Sequence, residues 1–130
     1  NVIIAQRLVR KICEICKATR PITEEELMKN LPKDVVKKHF GNKQNITIYQ
    51  GDGCKICYST GYAGRIGVFE VLEVTRTIRE LIVRRSDSDV IAAKAIEEGM
   101  TTMLDDGLDK VIKGITTIEE VLRVTRIEPM

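Results

Sequence analysis

The chain holds four cysteines, and all four fall in two C-x-x-C pairs, Cys13 with Cys16 and Cys54 with Cys57. Two intervening residues let both sulfurs of one tight turn reach a common centre. Two such turns, brought together by a fold, close a four-sulfur site. Such a site requires residue 13 to lie beside residue 54, so residues 17–53 must leave this corner and return to it. That span has room for two helices and a strand.

Zinc is the ion this set implies. Four soft thiolates satisfy its tetrahedron and leave no position open for substrate, which makes a structural centre rather than a catalytic one. A catalytic site would want histidine or carboxylate ligands. The only histidine, His39, has no partner motif and reads as a helix-surface residue. Gly51 and Gly53, ahead of the second pair, suit a tight turn with positive φ. A tetrathiolate zinc centre carries about −2, which would take the formal net charge from +2 to near zero. Arg10, Lys11, Lys17, Arg20 and Lys55 flank the cysteines and can offset the thiolates.

Other readings of the pairs stay open. They are four buried free thiols, a redox-sensitive switch that releases zinc on mild oxidation, or a free-standing zinc-ribbon-like module that binds nucleic acid. The last needs a basic face interleaved with aromatics. Here 21 Lys and Arg stand against 19 Asp and Glu, and aromatics make up 4%, so no nucleic acid is expected as a partner.

With 43% hydrophobic and 31% charged residues the composition is that of a globular chain, and without Trp its core must be aliphatic. No apolar run approaches the roughly 20 residues that span a bilayer. The first residues, NVIIAQRLVRKIC, carry arginines within the apolar pattern and lack a cleavage site, unlike a signal peptide. The cytoplasm is the default compartment.

Along the chain, Ile4, Leu8 and Ile12 recur at helical spacing and predict a helix over residues 2–12. Thr23 with Glu26 signals a capping box before a short helix. Pro32 opens a second helix that ends at Gly41. ITIYQ at 46–50 and RIGVFEVLEV at 65–74 read as strands on either side of the second cysteine turn, the latter with Val68, Val71 and Leu72 for burial. After Thr75 the pattern is helical. Ile78, Leu81 and Ile82 share one face. Ser88 caps the next helix, and a stripe from Met100 to Ile112 suits core packing better than a partner helix. Thr117 with Glu120 is a second capping box. The neighbouring carboxylates Glu97/Glu98 and Asp105/Asp106 point to different helix faces and read as surface charge. The expected fold is mainly α with a small β element: a tetracysteine zinc module followed by a C-terminal helical bundle, the two packed together.

Three segments in order carry a resemblance: AQRLVRKICEICK at 5–17, GCKICYSTGYAGRIGVFEVLE at 53–73, and GMTTMLDDGLDKVIKGITTIEEVLRVT at 99–125. The chain resembles the C-terminal region of the GspE/PilB-type traffic ATPases, which serve type II secretion and type IV pilus assembly; the ATPase of DNA-uptake pseudopili shares the pattern. The resemblance implies a parent that is a hexameric ATPase using ATP and Mg²⁺, cytoplasmic and peripheral at the inner membrane. Its partners would be the rest of the ATPase chain, neighbouring subunits and the inner-membrane platform protein. It implies three regions: residues 1–12, the end of the ATPase-core helix; 13–74, the zinc module; and 75–130, a helical subdomain. It also implies that Cys13, Cys16, Cys54 and Cys57 are the zinc ligands. It places the arginines of Ala5–Arg10, namely Arg7 and Arg10, near a subunit interface. Arg65 reads as a turn anchor or a contact for a partner's carboxylate or phosphate.

The chain departs from a whole ATPase in one respect. It has no G-x-x-x-x-G-K-[ST] loop and no apolar strand ending in a carboxylate for Mg²⁺. As given, the chain is expected to be non-catalytic.

Overall fold

The computed structural model describes residues 1–41 and 45–125. Its frame is two antiparallel strand pairs, one nested inside the other in sequence. Strand β1 (Val2–Ile12) pairs with β4 (Tyr62–Glu73), and between them β2 (Lys17–Thr23) pairs with β3 (Asn45–Gly51). Residues 13–61 therefore leave the outer ribbon at Ile12 and rejoin it at Tyr62, its partner in register.

The helix expected over 2–12 is corrected to an 11-residue strand. Spacing of four does not separate the two states: Ile4, Leu8 and Ile12 lie on one face of a strand as well as of a helix. Val2, Ile3, Ile4, Val9 and Ile12 are β-branched, which favours the pleated state. Pairing with β4 from Val2↔Glu73 to Arg10↔Arg65 decides it. Region 1–12 thus ends no helix.

Strand β2 went unread because KATRPIT contains Pro21. Each sheet has only two strands, so every strand is an edge, where a missing N–H is tolerated. With strands of 11, 7, 7 and 12 residues among the described residues, the fold is mixed α and β rather than mainly α.

Six short helices complete the described chain: α1 (Glu24–Met28), α2 (Lys33–Phe40), α3 (Arg76–Val83), α4 (Ser88–Glu97), α5 (Met103–Ile112) and α6 (Ile118–Thr125). The α1 cap is as read: Thr23 Oγ1 accepts from the Glu26 amide at 3.1 Å. Asp87, not Ser88, occupies the position before α4. The expected packing of the two halves is observed. Ile22, Leu27, Val36, Phe40 and Ile48 from the first half close on Leu108, Val111 and Val121 from the second. Of the Met100–Ile112 stripe, Leu108 and Val111 are buried in the core, Met100, Met103 and Leu104 are partly buried, and Ile112 is 43% exposed. Gly107 lets α5 and α6 approach closely, since a Cβ there would lie 2.6 Å from Val121 Cγ1. In β4, Val68 is buried as expected but Val71 is 46% exposed, on the open face of the ribbon.

Two polar clusters tie the layers together, and the first overturns a surface reading. His39 is not a surface residue: its side chain is 7% exposed and its Nε2 lies 2.7 Å from Asp105 Oδ1, linking α2 to α5. Asp105 is not surface charge either. Its carboxylate accepts from the Thr102 amide while Thr102 Oγ1 accepts from the Asp105 amide, a capping box at α5. Burial raises the Asp105 pKa, but His39, Thr102 and Lys38 outweigh it and hold it at about 2. Asp106 accepts from the Phe69 amide of β4 at 2.9 Å.

The second cluster centres on Glu120. The Thr117–Glu120 signal is half realised: Thr117 Oγ1 accepts from the Glu120 amide at 3.2 Å. The Glu120 carboxylate turns instead to β1, accepting from the Arg10 amide at 2.7 Å and the Arg10 guanidinium at 3.0 Å. Arg123 donates to it as well. Burial raises the Glu120 pKa, and the two arginines overcome this and hold it at about 2.

Candidate metal centre

The four cysteines meet at the corner where the two strand pairs join. Cys13 follows the last residue of β1, Cys16 precedes β2, and Cys54 and Cys57 lie between β3 and β4. Backbone bonds fix that corner. Ile12 donates to the Ile115 carbonyl, Cys13 to the Gly61 carbonyl and Asp52 to the Cys16 carbonyl, at 2.9, 2.9 and 3.1 Å.

The second turn is a knuckle whose amides fold back on it. Ser59 donates to the Cys54 carbonyl at 2.8 Å and Thr60 to the Cys57 carbonyl at 3.1 Å. The tightness costs backbone freedom: Tyr58 and Ser59 take φ of 55° and 62°, and Gly53 takes 99°. Gly53 thus serves as expected, but Gly51 does not need a positive φ. It is required for close approach, because a Cβ there would fall onto the Gly61 carbonyl oxygen.

All four Sγ atoms lie within 4.8 Å of one another. Cys13–Cys54 and Cys16–Cys57 are each 3.8 Å apart, and Cys54–Cys57 is 3.6 Å. A tetrahedron with metal–sulfur bonds of about 2.3 Å has edges of about 3.8 Å. A disulfide would bring two sulfurs to about 2.05 Å. The spacing therefore fits four thiolates around one ion.

Thiolates need positive partners, and three of the cations the sequence suggested are paired elsewhere. Arg10 is committed to Glu120, Lys17 to Glu14 at 3.1 Å and Arg20 to Glu119 at 3.4 Å. Backbone amides face the sulfurs instead. Gly53 N–H donates to Cys16 Sγ at 3.2 Å, and Cys54 N–H and Gly61 N–H donate to Cys57 Sγ at 3.2 and 3.3 Å. Burial pushes the Cys57 thiol up, yet the two amides and neighbouring thiols more than offset it, and its pKa falls to about 6. Cys16, with one amide, is pushed up to about 11, chiefly by burial. The same environment thus favours charge on one sulfur and opposes it on another, the imbalance a shared cation removes. Sequence reasoning missed Gly61, the donor that also packs on Gly51; its place four residues after Cys57 was the available signal.

The three arginines separate. Arg10 is built into the Glu120 cluster and stacks on the Tyr62 ring, 4.2 Å from its centroid. Arg7 and Arg65 are exposed on the ribbon, Arg65 opposite Arg10 in register.

Comparison with known proteins gives a consistent result. The profile of the family described as "Type II/IV secretion system protein" matches residues 1–123. Type II secretion system protein E of Aeromonas hydrophila is 37% identical over 124 residues, covering 95% of this chain and 23% of that protein. Type IV pilus assembly ATPase PilB of Pseudomonas aeruginosa is 37% identical over 127 residues, covering 97% of this chain and 21% of that protein. PilB of Thermus thermophilus is 39% identical over 124 residues, 95% of this chain and 13% of its own length. The chain spans less than a quarter of each of these relatives.

Proposed function

Because this chain belongs to the type II/IV secretion system protein family, we propose that it is the C-terminal part of a secretion or pilus-assembly ATPase, built around a structural zinc centre. Cys13, Cys16, Cys54 and Cys57 are the ligands in this reading. The observation that carries it is the set of four sulfurs at tetrahedral spacing, served by backbone amides. Bound zinc would supply a closed, redox-inert cross-link between the start and the end of the nested segment. The protein's own residues do the rest: amides stabilise the thiolates, and Gly51 against Gly61 sets how near the two turns come.

The role is mechanical rather than chemical. The chain carries no phosphate-binding loop, so ATP and Mg²⁺ would be handled elsewhere in the parent. In that parent, residues 13–74 form the zinc module and 75–130 the helical part, of which 126–130 lie outside the described residues. The module would carry force between the ATPase core, neighbouring subunits of a hexamer and a platform protein at the inner membrane. Exposed Arg7 and Arg65 are the side chains available for such contacts. Among the described residues no helix is long and apolar enough to cross a membrane.

Elemental mass spectrometry on protein purified without added metal, with a parallel thiol count, tests the centre. One zinc per chain with four protected thiols is expected. Metal-free protein with four reactive thiols and unchanged stability would overturn it.

A further inference from the structure

The outer ribbon has two long edges, and β4 carries the one that faces the helices. The Phe69 amide points away from β1 and donates to Asp106 at 2.9 Å. Outward-facing positions alternate along a strand, so Val71 turns its N–H and C=O the same way, and Glu73 its N–H. The Glu73 carbonyl accepts from the Thr75 amide at 3.0 Å. No third strand meets this edge among the described residues. An open row of backbone donors and acceptors is a template for an added strand.

The edge borders a cleft of about 560 Å³. Phe69, Val71 and Leu72 line it from β4, and Ala95 and Met100 line it from the end of α4 and the turn beyond. Phe69 and Val71 are 41 and 46% exposed, so apolar surface lies beside the open backbone. The charged groups are all of one sign: Glu73, Glu98 and Asp106 line the cleft, and no Lys or Arg does. Asp106 is paired with Lys110 at 2.9 Å. Glu98 accepts only a neutral donor there, Thr75 Oγ1 at 2.7 Å. Glu73 and Glu98 thus stand without a cation among the described residues.

We propose that this cleft is the docking site for an extended segment of a separate protein, which adds to the edge of β4 at Val71 and Glu73. The segment alternates apolar residues with lysine or arginine. Its backbone pairs with Val71, its apolar side chains meet Phe69 and Met100, and its cations answer Glu73 and Glu98. The unpaired acids repel nucleic acid and anionic lipid. Every strand among the described residues is already half of a ribbon, so a second copy has no free strand to lend.

A capped five-residue peptide alternating lysine and valine, titrated into the full-length protein, tests this. Binding with a Kd below about 1 mM is expected, with hydrogen exchange at Val71 and Glu73 slowed at least about tenfold at saturation. The same peptide N-methylated at alternate amides, or with glutamate in place of lysine, should not bind. Glu73→Lys should weaken binding about threefold, more at low salt than at high, and leave metal content unchanged. No binding, equal binding of either control peptide, or binding that leaves Val71 exchange unaltered would overturn the proposal. So would Val71 protection in peptide-free protein: if it rose with protein concentration the edge would belong to a second copy, and if it did not the edge would belong to the protein's own chain.

Discussion

The aliphatic layer around Leu108 and the cysteine corner are held by opposite means. In the first, side chains from β2, β3, α1, α2, α5 and α6 close on one another, and Leu108, Val36 and Val121 lose all exposure. In the second, Ile12 is buried where β1 enters the corner, but the isoleucines inside the two C-x-x-C turns, Ile15 and Ile56, stay 70 and 67% exposed, so apolar burial contributes little within the turns themselves. Where a turn cannot bury enough to order itself, a cross-link must do it. Yet the backbone at that corner is the more strained of the two, with two non-glycine residues at positive φ. Ordering by a few strong bonds tolerates such strain; ordering by many weak contacts would not.

Metal removal is the strongest way to break this contrast. Structural zinc sites contribute on the order of 10 kcal/mol of apparent binding energy in small peptides. A strong chelator, or Cys54→Ser, should therefore strip exchange protection from residues 13–16 and 54–61 before the layer around Leu108 opens. Simultaneous loss at both places would mean that they are one cooperative unit.

Leu108→Ala probes the other side. It should cost about 3 kcal/mol in denaturant unfolding while leaving metal content at the wild-type value. Loss of metal in that variant would erase the distinction.

Glu120→Ala joins the two, because Glu120 holds the strand that leads into Cys13. It should cost about 2 kcal/mol, less than an isolated buried pair would, since Arg10 and Arg123 are half exposed and regain water. The carboxylates also give a pH dependence. Asp105 and Glu120 have folded pKa values near 2, below their ordinary 3.8 and 4.5. Their contribution is present above those ordinary values and is lost as pH falls through 4.5 toward 2. A shallower acid-unfolding slope in Glu120→Gln would support that assignment; an unchanged slope would remove Glu120 from it. The smallest effect is expected for Thr102→Ala, about 1 kcal/mol from the lost α5 cap, read by thermal melting.

The sequence carried some of these features openly and hid others. The cysteine corner was legible because C-x-x-C spacing is a local geometric demand. The caps at Thr23 and the stripe to Leu108 were legible for the same reason. Strand β1 was not, because a four-residue apolar repeat satisfies both periods and only pairing with a segment some sixty residues away chooses between them. His39 and Asp105 were misread as surface, and the Glu120 carboxylate as a cap, because burial of a charge depends on partners from distant elements, His39 from α2 and Arg10 from β1. The amides that serve the sulfurs left a trace only in the glycines that supply two of them, Gly53 and Gly61.

Ile12 and Tyr62 stand opposite each other at the end of the outer ribbon, one register shift beyond Arg10↔Arg65, so everything between them is bracketed by a paired position. A gene can gain or lose such a segment without shifting the frame of the strands that flank it. Excision here would leave β1 and β4 able to meet through a short hairpin. It would also strip Leu108, Val111 and Val121 of the cover that β2, β3, α1 and α2 now provide. Inheritance of the corner and of the last two helices is therefore coupled: a descendant that sheds the cysteine segment must also repaint the faces of α5 and α6 with polar residues, or find them another neighbour.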